Sequence, residues 1–188
     1  RSPLLDPMCG SATFAIEAAW LATDRAPGLG RSFAFEKWGD LEQDLWAELF
    51  DEAEARAARG ARSVPPILGR DRHAGAISVA ERSARAAGVR DLVDLRVGDV
   101  ARAAVASDVT TVVTNPPYGA RLGEGQDLED SWRGLGEYVR GFPPGSVAWV
   151  LSGNPELTRF LRLRADRKIP VHNGPIDCRF VRYALGEP

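Results

Sequence analysis

Strand-like and helix-like stretches alternate through most of this 188-residue chain. The alternation predicts an α/β fold, a doubly wound sheet that is mostly parallel with a C-terminal antiparallel hairpin. Three observations carry that reading. Short apolar or β-branched runs recur between helical stretches, Val109-Thr110-Thr111-Val112-Val113-Thr114 being the clearest. Four such runs are followed closely by an acid or an amide: Asp6, Asp71, Asp99 and Asn115. The last two runs flank Asn173-Gly174-Pro175, a turn sequence.

Pro3 to Pro7 reads as a short buried strand ending in Asp6-Pro7. Met8-Cys9-Gly10-Ser11-Ala12 is a loop of small residues. Thr13 to Thr23 reads as a helix apolar on most sides, which predicts burial all round. Strand, small-residue loop and helix together present free N–H groups and a positive dipole end to an anionic ligand group, a phosphate or a carboxylate. Ala26-Pro27-Gly28-Leu29-Gly30 breaks the chain, and Arg31 to Gly39 is irregular or a short strand. Asp40 is the expected N-cap of a second helix, with Gln43 three residues on. Leu41, Leu45, Leu49, Ala53 and Ala57 recur there at helical spacing, the acids face water, and Gly60 closes the helix.

Val64 to Asp71 is the next strand, Ala74 to Ala87 a helix closed by Gly88, and Leu92 to Val97 a strand ending at Gly98-Asp99. Ala101 to Ala106 is expected to form a short helix. Two prolines after Asn115 forbid both further pairing and an immediate helix, so the amide is left at the strand's carboxyl end. Helix is expected over Leu128 to Phe142 and Pro155 to Leu163, and strand over Ser146 to Leu151. Arg164 to His172 and Asp177 to Leu185 form the closing hairpin.

Composition narrows the function classes. A formal net charge of −2 gives no global nucleic-acid signature. Locally, Glu36 to Arg56 holds eight acids against two bases, and Pro155 to Pro188 seven bases against four acids. A solvated face is the simpler reading of each run. Cys9 and Cys178 sit in no Cys/His cluster and there are only His73 and His172, which argues against a zinc site, a disulfide framework or a metal enzyme. Cys9 is expected to be a packed residue, not a nucleophile. No apolar run is long enough to cross a membrane, no signal peptide is visible, and a cytoplasmic location is expected. The chain opens on Arg1-Ser2-Pro3 without an initiator Met and runs straight into a strand, so an excised piece of a longer protein is expected.

A strand-end Asp is usually a cap or a turn former. Four polar ends in register on successive strands describe an adenine-nucleoside site: Asp71 for the ribose hydroxyls, Asp99 for the adenine amino group, and the small-residue loop for close backbone approach. Asp71 lies further from the glycine loop than the roughly 20 residues usual for a ribose acid, and Glu36 is the rival. Asp71 is preferred because its strand feeds directly into a helix and the next strand–acid unit. Residues 25–63 then become a helical insertion in one domain spanning 1–188.

Leu5-Asp6-Pro7-Met8-Cys9-Gly10-Ser11-Ala12-Thr13-Phe14, with Ile16-Glu17-Ala18-Ala19, resembles the first motif of the class I, S-adenosylmethionine-dependent guanine-N2 RNA methyltransferases that carry a THUMP domain, in particular the bacterial large-subunit rRNA type. The insertion beginning Leu21-Ala22-Thr23-Asp24-Arg25-Ala26-Pro27-Gly28-Leu29 is similar to theirs. So are Asn115-Pro116-Pro117-Tyr118-Gly119-Ala120-Arg121-Leu122, Leu163-Arg164-Ala165-Asp166 and Asn173-Gly174-Pro175-Ile176-Asp177-Cys178. Asn-Pro-Pro-Tyr alone is shared with DNA adenine and protein glutamine methyltransferases. Ala12 stands where the family has a second glycine; its methyl either tightens the loop beside the cofactor or is harmless if φ there is negative.

The resemblance implies a Rossmann-like class I methyltransferase sheet and S-adenosyl-L-methionine as cofactor. It implies a cofactor site of Asp6, Met8, Cys9, Gly10, Ser11, Ala12, Thr13, Asp71, Arg72, Asp99, Val100 and Asn115, no metal, and an RNA partner bound with the help of an upstream THUMP-like domain outside this sequence. Asn115, Pro116, Pro117 and Tyr118 become the catalytic stretch. Asn115 Oδ1 and the Pro116 carbonyl would hold the two hydrogens of an exocyclic amine, and Tyr118 would stack on the presented base or, equally, pack in its own turn. Arg159, Arg162, Arg164, Arg167, Lys168, Arg179 and Arg182 are candidates for phosphate contact. The competing readings are methyl transfer to DNA adenine N6 or protein glutamine N5, and a cofactor-binding domain without catalysis in an RNA-binding assembly.

Overall fold

The computed structural model describes residues 2–103, 105, 108–118 and 125–186. Seven strands form one sheet: β1 (Leu4–Asp6), β2 (Ile67–Asp71), β3 (Asp94–Val97), β4 (Thr111–Thr114), β5 (Val147–Ser152), β6 (Ala165–Asn173) and β7 (Ile176–Ala184). Their spatial order is β3-β2-β1-β4-β5-β7-β6. β1 pairs in parallel with both β2 and β4, β2 with β3, and β4 with β5. β7 is antiparallel to both β5 and β6. Chain order therefore reverses between β1 and β4, and in open α/β sheets a ligand site lies outside the carboxyl ends of the strands at that point.

Successive side chains on a strand point to opposite faces, and β1 shows it: Leu5 packs in one core and Leu4 against the other. On one face α1 (Thr13–Ala22) and α3 (Ala74–Ala86) pack through Ala15, Ile16, Ala19, Ala80 and Ala84. On the other, α4 (Gly125–Arg140) brings Trp132, Leu135 and Val139 onto Val112, Ala148 and Val150. α5 (Pro155–Thr158) adds Leu157, and its N-cap Asn154 accepts from the Glu156 and Leu157 N–H groups.

The expected strands of the sheet and the long helices are present, with shifted ends. β2 starts at Ile67, not Val64, because Pro65 and Pro66 supply no N–H to a ladder; the Pro66 carbonyl still accepts from Leu4. β3 and β4 are shorter than expected, and α4 starts at Gly125 and ends at Arg140. Pro155 to Leu163 is one α-helical turn followed by a 3-10 turn over Arg159–Leu161. Arg31 to Gly39 contains a 3-10 turn, Ala34–Lys37, and no strand. α2 (Gln43–Gly60) begins after Glu42, so Asp40 does not cap it. The short helix expected over Ala101 to Ala106 falls partly outside the described residues; what is described is a turn closed by Arg102 N–H on the Asp99 carbonyl.

Two expectations about burial are corrected. α1 is not buried all round: Leu21 is 77 % exposed and only one face is covered. α2 is amphipathic, yet none of its residues is buried. Its apolar face meets the insertion's own aromatics instead. Trp46 contacts Phe33, Phe35 and Phe50 with ring centroids 6.3, 5.0 and 6.4 Å apart. The insertion is tied to the end of α1 by the Arg56–Asp24 ion pair at 3.1 Å and by Gly60. Gly60 lies within the helix, and a Cβ there would strike the Thr23 carbonyl. α1 runs back along the strands, so its C-terminal end and the insertion lie at the amino edge of the sheet.

The hairpin goes the other way. Ser152, the last residue of β5, pairs with Arg179, so Ile176, Asp177 and Cys178 run on past the carboxyl edge. Asn173 pairs with Ile176 across Gly174-Pro175, with Gly174 at φ +61°.

Candidate active site at the carboxyl edge

Asp6, Asp71, Asp99 and Asn115 all end up at or just past the carboxyl edge, on β1, β2, β3 and β4. Asp6 and Asp71 are the last residues of their strands, Asn115 follows β4 directly, and Asp99 lies two residues past β3. Register is the cause: Asp6 pairs with Gly69 and Asp71 with Val97, and Gly98 N–H donates to the Asp71 carbonyl at 2.9 Å.

The loop from Met8 to Ala12 is held against β2. Cys9 N–H donates to the Arg70 carbonyl at 2.8 Å, and Gly10 N–H to Asp71 Oδ2 at 3.1 Å. Asp71 Oδ1 accepts from His73 N–H at 2.9 Å. Gly69 is required beside the loop, since a Cβ there would lie 2.6 Å from Leu95 and 3.3 Å from the Cys9 sulfur. Gly10 takes φ +52° with open space where a side chain would stand.

Ala12 also sits in the left-handed region, at φ +65° and ψ 29°, so the condition of a negative φ is not met. An L-residue there costs roughly 1–2 kcal/mol. Ala12 is fully buried, and no side chain caps the helix behind it. The first-turn N–H groups of α1 thus face the loop. Ser11 and Thr13 are exposed on the loop's rim with hydroxyls 3.3 Å apart, and Met8 packs against the α4-side core.

Asp6 is only 2 % exposed, and its Oδ1 accepts from Met8 N–H at 3.2 Å. Burial pushes its carboxyl up to about 7; the Thr114 hydroxyl and the Met8 N–H pull it down, and the Asp71 charge adds to the rise. Thr114 Oγ1 is itself buried without a well-formed hydrogen bond, so it stabilises the carboxylate only weakly. Burial, then the charges of Asp6 and Asp71, pushes the Cys9 thiol up to about 12. A thiol so hard to ionise is no nucleophile at neutral pH.

Arg72 is exposed, with Nε donating to His73 Nε2 at 3.0 Å, and Val100 packs against the α4-side core near Gly134. Asp99 Oδ1 accepts from Ala101 N–H at 3.0 Å and shapes that turn. Glu36 is spent inside the insertion, accepting from Phe33 N–H at 2.8 Å. Asp71, not Glu36, is the acid at the edge.

After β4, Asn115 is exposed, Pro116 buried, and Pro117 and Tyr118 half-buried; Gly119 to Leu122 lie outside the described residues. The Pro117 carbonyl accepts from Trp132 Nε1–H at 2.8 Å, and Trp132 is fully buried. That bond anchors the turn to α4. The Tyr118 hydroxyl accepts from Asn173 Nδ2 at 2.8 Å and meets the Cys178 thiol at 3.7 Å. Burial raises the Tyr118 phenol above its ordinary value, the Asn173 and Asn115 side chains act against the rise, and Cys178 acts with it. Gly153 makes room for the ring, since a Cβ there would stand 2.7 Å from Tyr118 Cε2. Tyr118 is therefore engaged with the hairpin.

Sequence reasoning gave no role at the site to Trp132, Thr114, Gly153 or Asn173; Cys178 and Asn173 entered it only within a motif. A short aromatic stack was also missed: Phe14 in the first turn of α1 lies 6.1 Å from Phe180, and Phe180 lies 4.9 Å from Trp149. It joins the loop side of the site to β5 and β7.

A family described as an RMKL-like methyltransferase domain matches residues 1–182. A ribosomal RNA large subunit methyltransferase K/L from Chromohalobacter salexigens is 42 % identical over 184 residues, covering 95 % of this chain and 25 % of that protein. The chain spans about a quarter of the length of the curated relatives it matches. Among solved structures, SMU.472 complexed with SAH superposes with a TM-score of 0.86 at 26 % identity, over 100 % of this chain and 48 % of that one. A Listeria monocytogenes protein designated a predicted N6-adenine-specific DNA methylase gives a TM-score of 0.84 at 30 % identity, over 99 % and 47 %.

Proposed function

The chain belongs to the RMKL-like methyltransferase domain family, and from that premise we propose that it transfers a methyl group from S-adenosylmethionine to the exocyclic N2 amine of a guanosine in ribosomal RNA. The observation that carries the reading is Asn115: an exposed amide at the carboxyl end of β4, one strand from the loop that follows Asp6, at the reversal of strand order. The relative's name supports the RNA substrate, and the SAH in SMU.472 supports the cofactor.

The residues present fit such a cofactor. Gly10 leaves open space over the loop, and the Asp71 carboxylate faces it. The Asp6 carboxyl, poised near neutrality, suits a ligand carrying positive charge. In this reading Asp71 takes the ribose hydroxyls, Asp99 and Val100 the adenine, Met8 to Thr13 the amino-acid end, and Arg72 the rim. When bound, S-adenosylmethionine supplies an electrophilic methyl carbon whose bond to sulfur breaks as the bond to nitrogen forms, the spare amine proton leaving to water. Asn115 Oδ1 and the Pro116 carbonyl accept from the two amine hydrogens and turn the nitrogen lone pair toward that carbon. The Pro117 carbonyl is already taken by Trp132 and keeps the turn rigid. Tyr118 holds the turn to the hairpin, and base stacking is left to its ring face.

The same reading covers one domain over 1–188 with its insertion at about 25–63, an upstream RNA-binding domain of THUMP type in the full-length protein, and a cytoplasmic reaction. The designation of the Listeria monocytogenes neighbour favours one alternative, DNA adenine N6. Mass spectrometry of rRNA nucleosides and DNA bases from a deletion strain decides between them. Loss of N2-methylguanosine from rRNA is expected. Loss of N6-methyladenine from DNA instead would move the substrate, and no change in either would leave a binding domain without catalysis.

A further inference from the structure

We propose that the groove between the hairpin and α5 binds the sugar–phosphate backbone of single-stranded RNA and leads it to Asn115; this rests on the RNA reading above. A cavity of about 690 Å³ opens there, walled by β6, β7, α5 and the residues that follow it. Its position, its charge and its lining point the same way.

Position comes first. Ser152 and Cys178 form the end of the groove nearest the carboxyl edge. Cys178 pairs with Val171, so its thiol points to the face opposite Lys168 and Arg179, where it meets the Tyr118 hydroxyl at 3.7 Å. β5, which ends at Ser152, neighbours β4, so an RNA strand leaving the groove at Ser152 lies one strand over from the one that Asn115 follows.

Charge comes next. Lys168 and Arg179 share one face of the hairpin, because Lys168 pairs with Val181 and Arg179 with Pro170. The two cations stand about two residues apart along the strands, roughly 7 Å. That is about two steps of a stacked strand at roughly 3.4 Å per nucleotide. Both are exposed, and neither forms an ion pair among the described residues. Of the other charges nearby, Arg159 pairs with Glu156 at 2.7 Å, Arg182 on the opposite face pairs with Asp166, and Asp177, which contacts His172 at 3.0 Å, also lines the groove; Arg162, Arg164 and Arg167 are exposed and form no ion pair among the described residues. Phosphate in the groove would thus meet Lys168 and Arg179, with Asp177 the acid of the lining. Between those cations the floor is apolar, with Pro170, Val181 and Leu163. An alternation of cation and apolar contact suits a backbone whose sugars and bases also need cover.

The test uses the full-length protein and a fluorescein-labelled single-stranded RNA of mixed sequence, titrated by anisotropy between 50 and 200 mM salt. Lys168→Glu/Arg179→Glu should weaken RNA binding at least tenfold, with cofactor affinity and Tm unchanged. The milder pair Lys168→Gln/Arg179→Gln, which keeps the question open to refutation if charge reversal harms folding, should make the log Kd–log salt slope shallower by about 1.4, about 0.7 for each phosphate no longer neutralised. Lys37→Glu, an exposed charge of the insertion, serves as control. Affinity and slope equal to the control would overturn the groove. So would loss of binding to a labelled polyglutamate peptide with RNA binding intact, which would assign the groove to an acidic protein ligand. Methyl transfer is read separately. RNA binding through Lys168 and Arg179 without transfer to RNA sinks the function reading and spares the groove; transfer to RNA with binding unmoved does the reverse.

Discussion

The insertion and the hairpin are both additions to the same sheet, and they relate to it in opposite ways. The insertion is acid-rich, hangs from the amino edge and packs its aromatics against one another. The hairpin is base-rich, continues the sheet's hydrogen-bond ladder and carries Asn173 and Cys178 to Tyr118. A segment that packs on itself changes without disturbing the site. A segment that shares hydrogen bonds with a catalytic turn does not. Distance along the chain says nothing of this, since Tyr118 is 55 residues from Asn173.

Four measurements break or sharpen that contrast. The largest effect is expected from the turn to which the hairpin is clasped. Asn115→Ala should cut kcat by about 10²–10³-fold, the usual consequence of losing one placed dipole, while calorimetry gives wild-type cofactor affinity; turnover preserved with the cofactor bound would remove Asn115 from the chemistry. Trp46→Ala, in the insertion, should lower stability by about 2 kcal/mol because its ring no longer packs on Phe33, Phe35 and Phe50, with kcat unmoved at temperatures where the protein stays folded. A matching fall in kcat there would mean the two regions are coupled after all.

Between them stands a pH effect at the shared floor of the site. The Asp6 carboxyl is raised to about 7, so it is protonated in the free protein below that pH and ionised above it. A cationic ligand binds the carboxylate form, so affinity should rise by up to about tenfold per pH unit toward 7 and then level off. Asp6→Asn should flatten the profile; a wild-type profile already flat between about pH 5.5 and 8, either side of that value, would place the ligand's positive charge elsewhere. The smallest effect is expected at Ala12→Gly. Relief of the left-handed conformation, roughly 1–2 kcal/mol, is offset by about 0.4–1 kcal/mol of added unfolded-chain entropy and by about 0.8 kcal/mol for the buried methyl. Thermal unfolding should move by less than about 1 kcal/mol. A gain well beyond that would show the loop to be strained for reasons the backbone angle does not contain.

Much of the fold was legible because the signals are local. Prolines and strand-end acids mark where β1, β2 and β4 stop, and a turn pair marks the hairpin. Hydrophobic periodicity correctly gave α2 an apolar face but is silent on which surface that face meets, so its aromatic cluster was missed. Local pattern likewise left open the backbone angle at Ala12, since alanine is rarely chosen for φ > 0. At the site, the acids and Asn115 were legible one by one as strand ends. The grip of Trp132 on the Pro117 carbonyl and of Asn173 on Tyr118 arises only once distant segments are brought together. Those contacts turn Tyr118 from a free platform into a fixed strut.

The chain's two cysteines, Cys9 and Cys178, flank this site from opposite sides, one in the loop and one against the Tyr118 hydroxyl. Both thiols are buried. The protein thus carries a native pair of reporters: a small thiol reagent reads opening of the loop at one sulfur and lifting of the hairpin at the other. Rates at the two positions, compared with and without each ligand, would tell which half of the site each ligand covers.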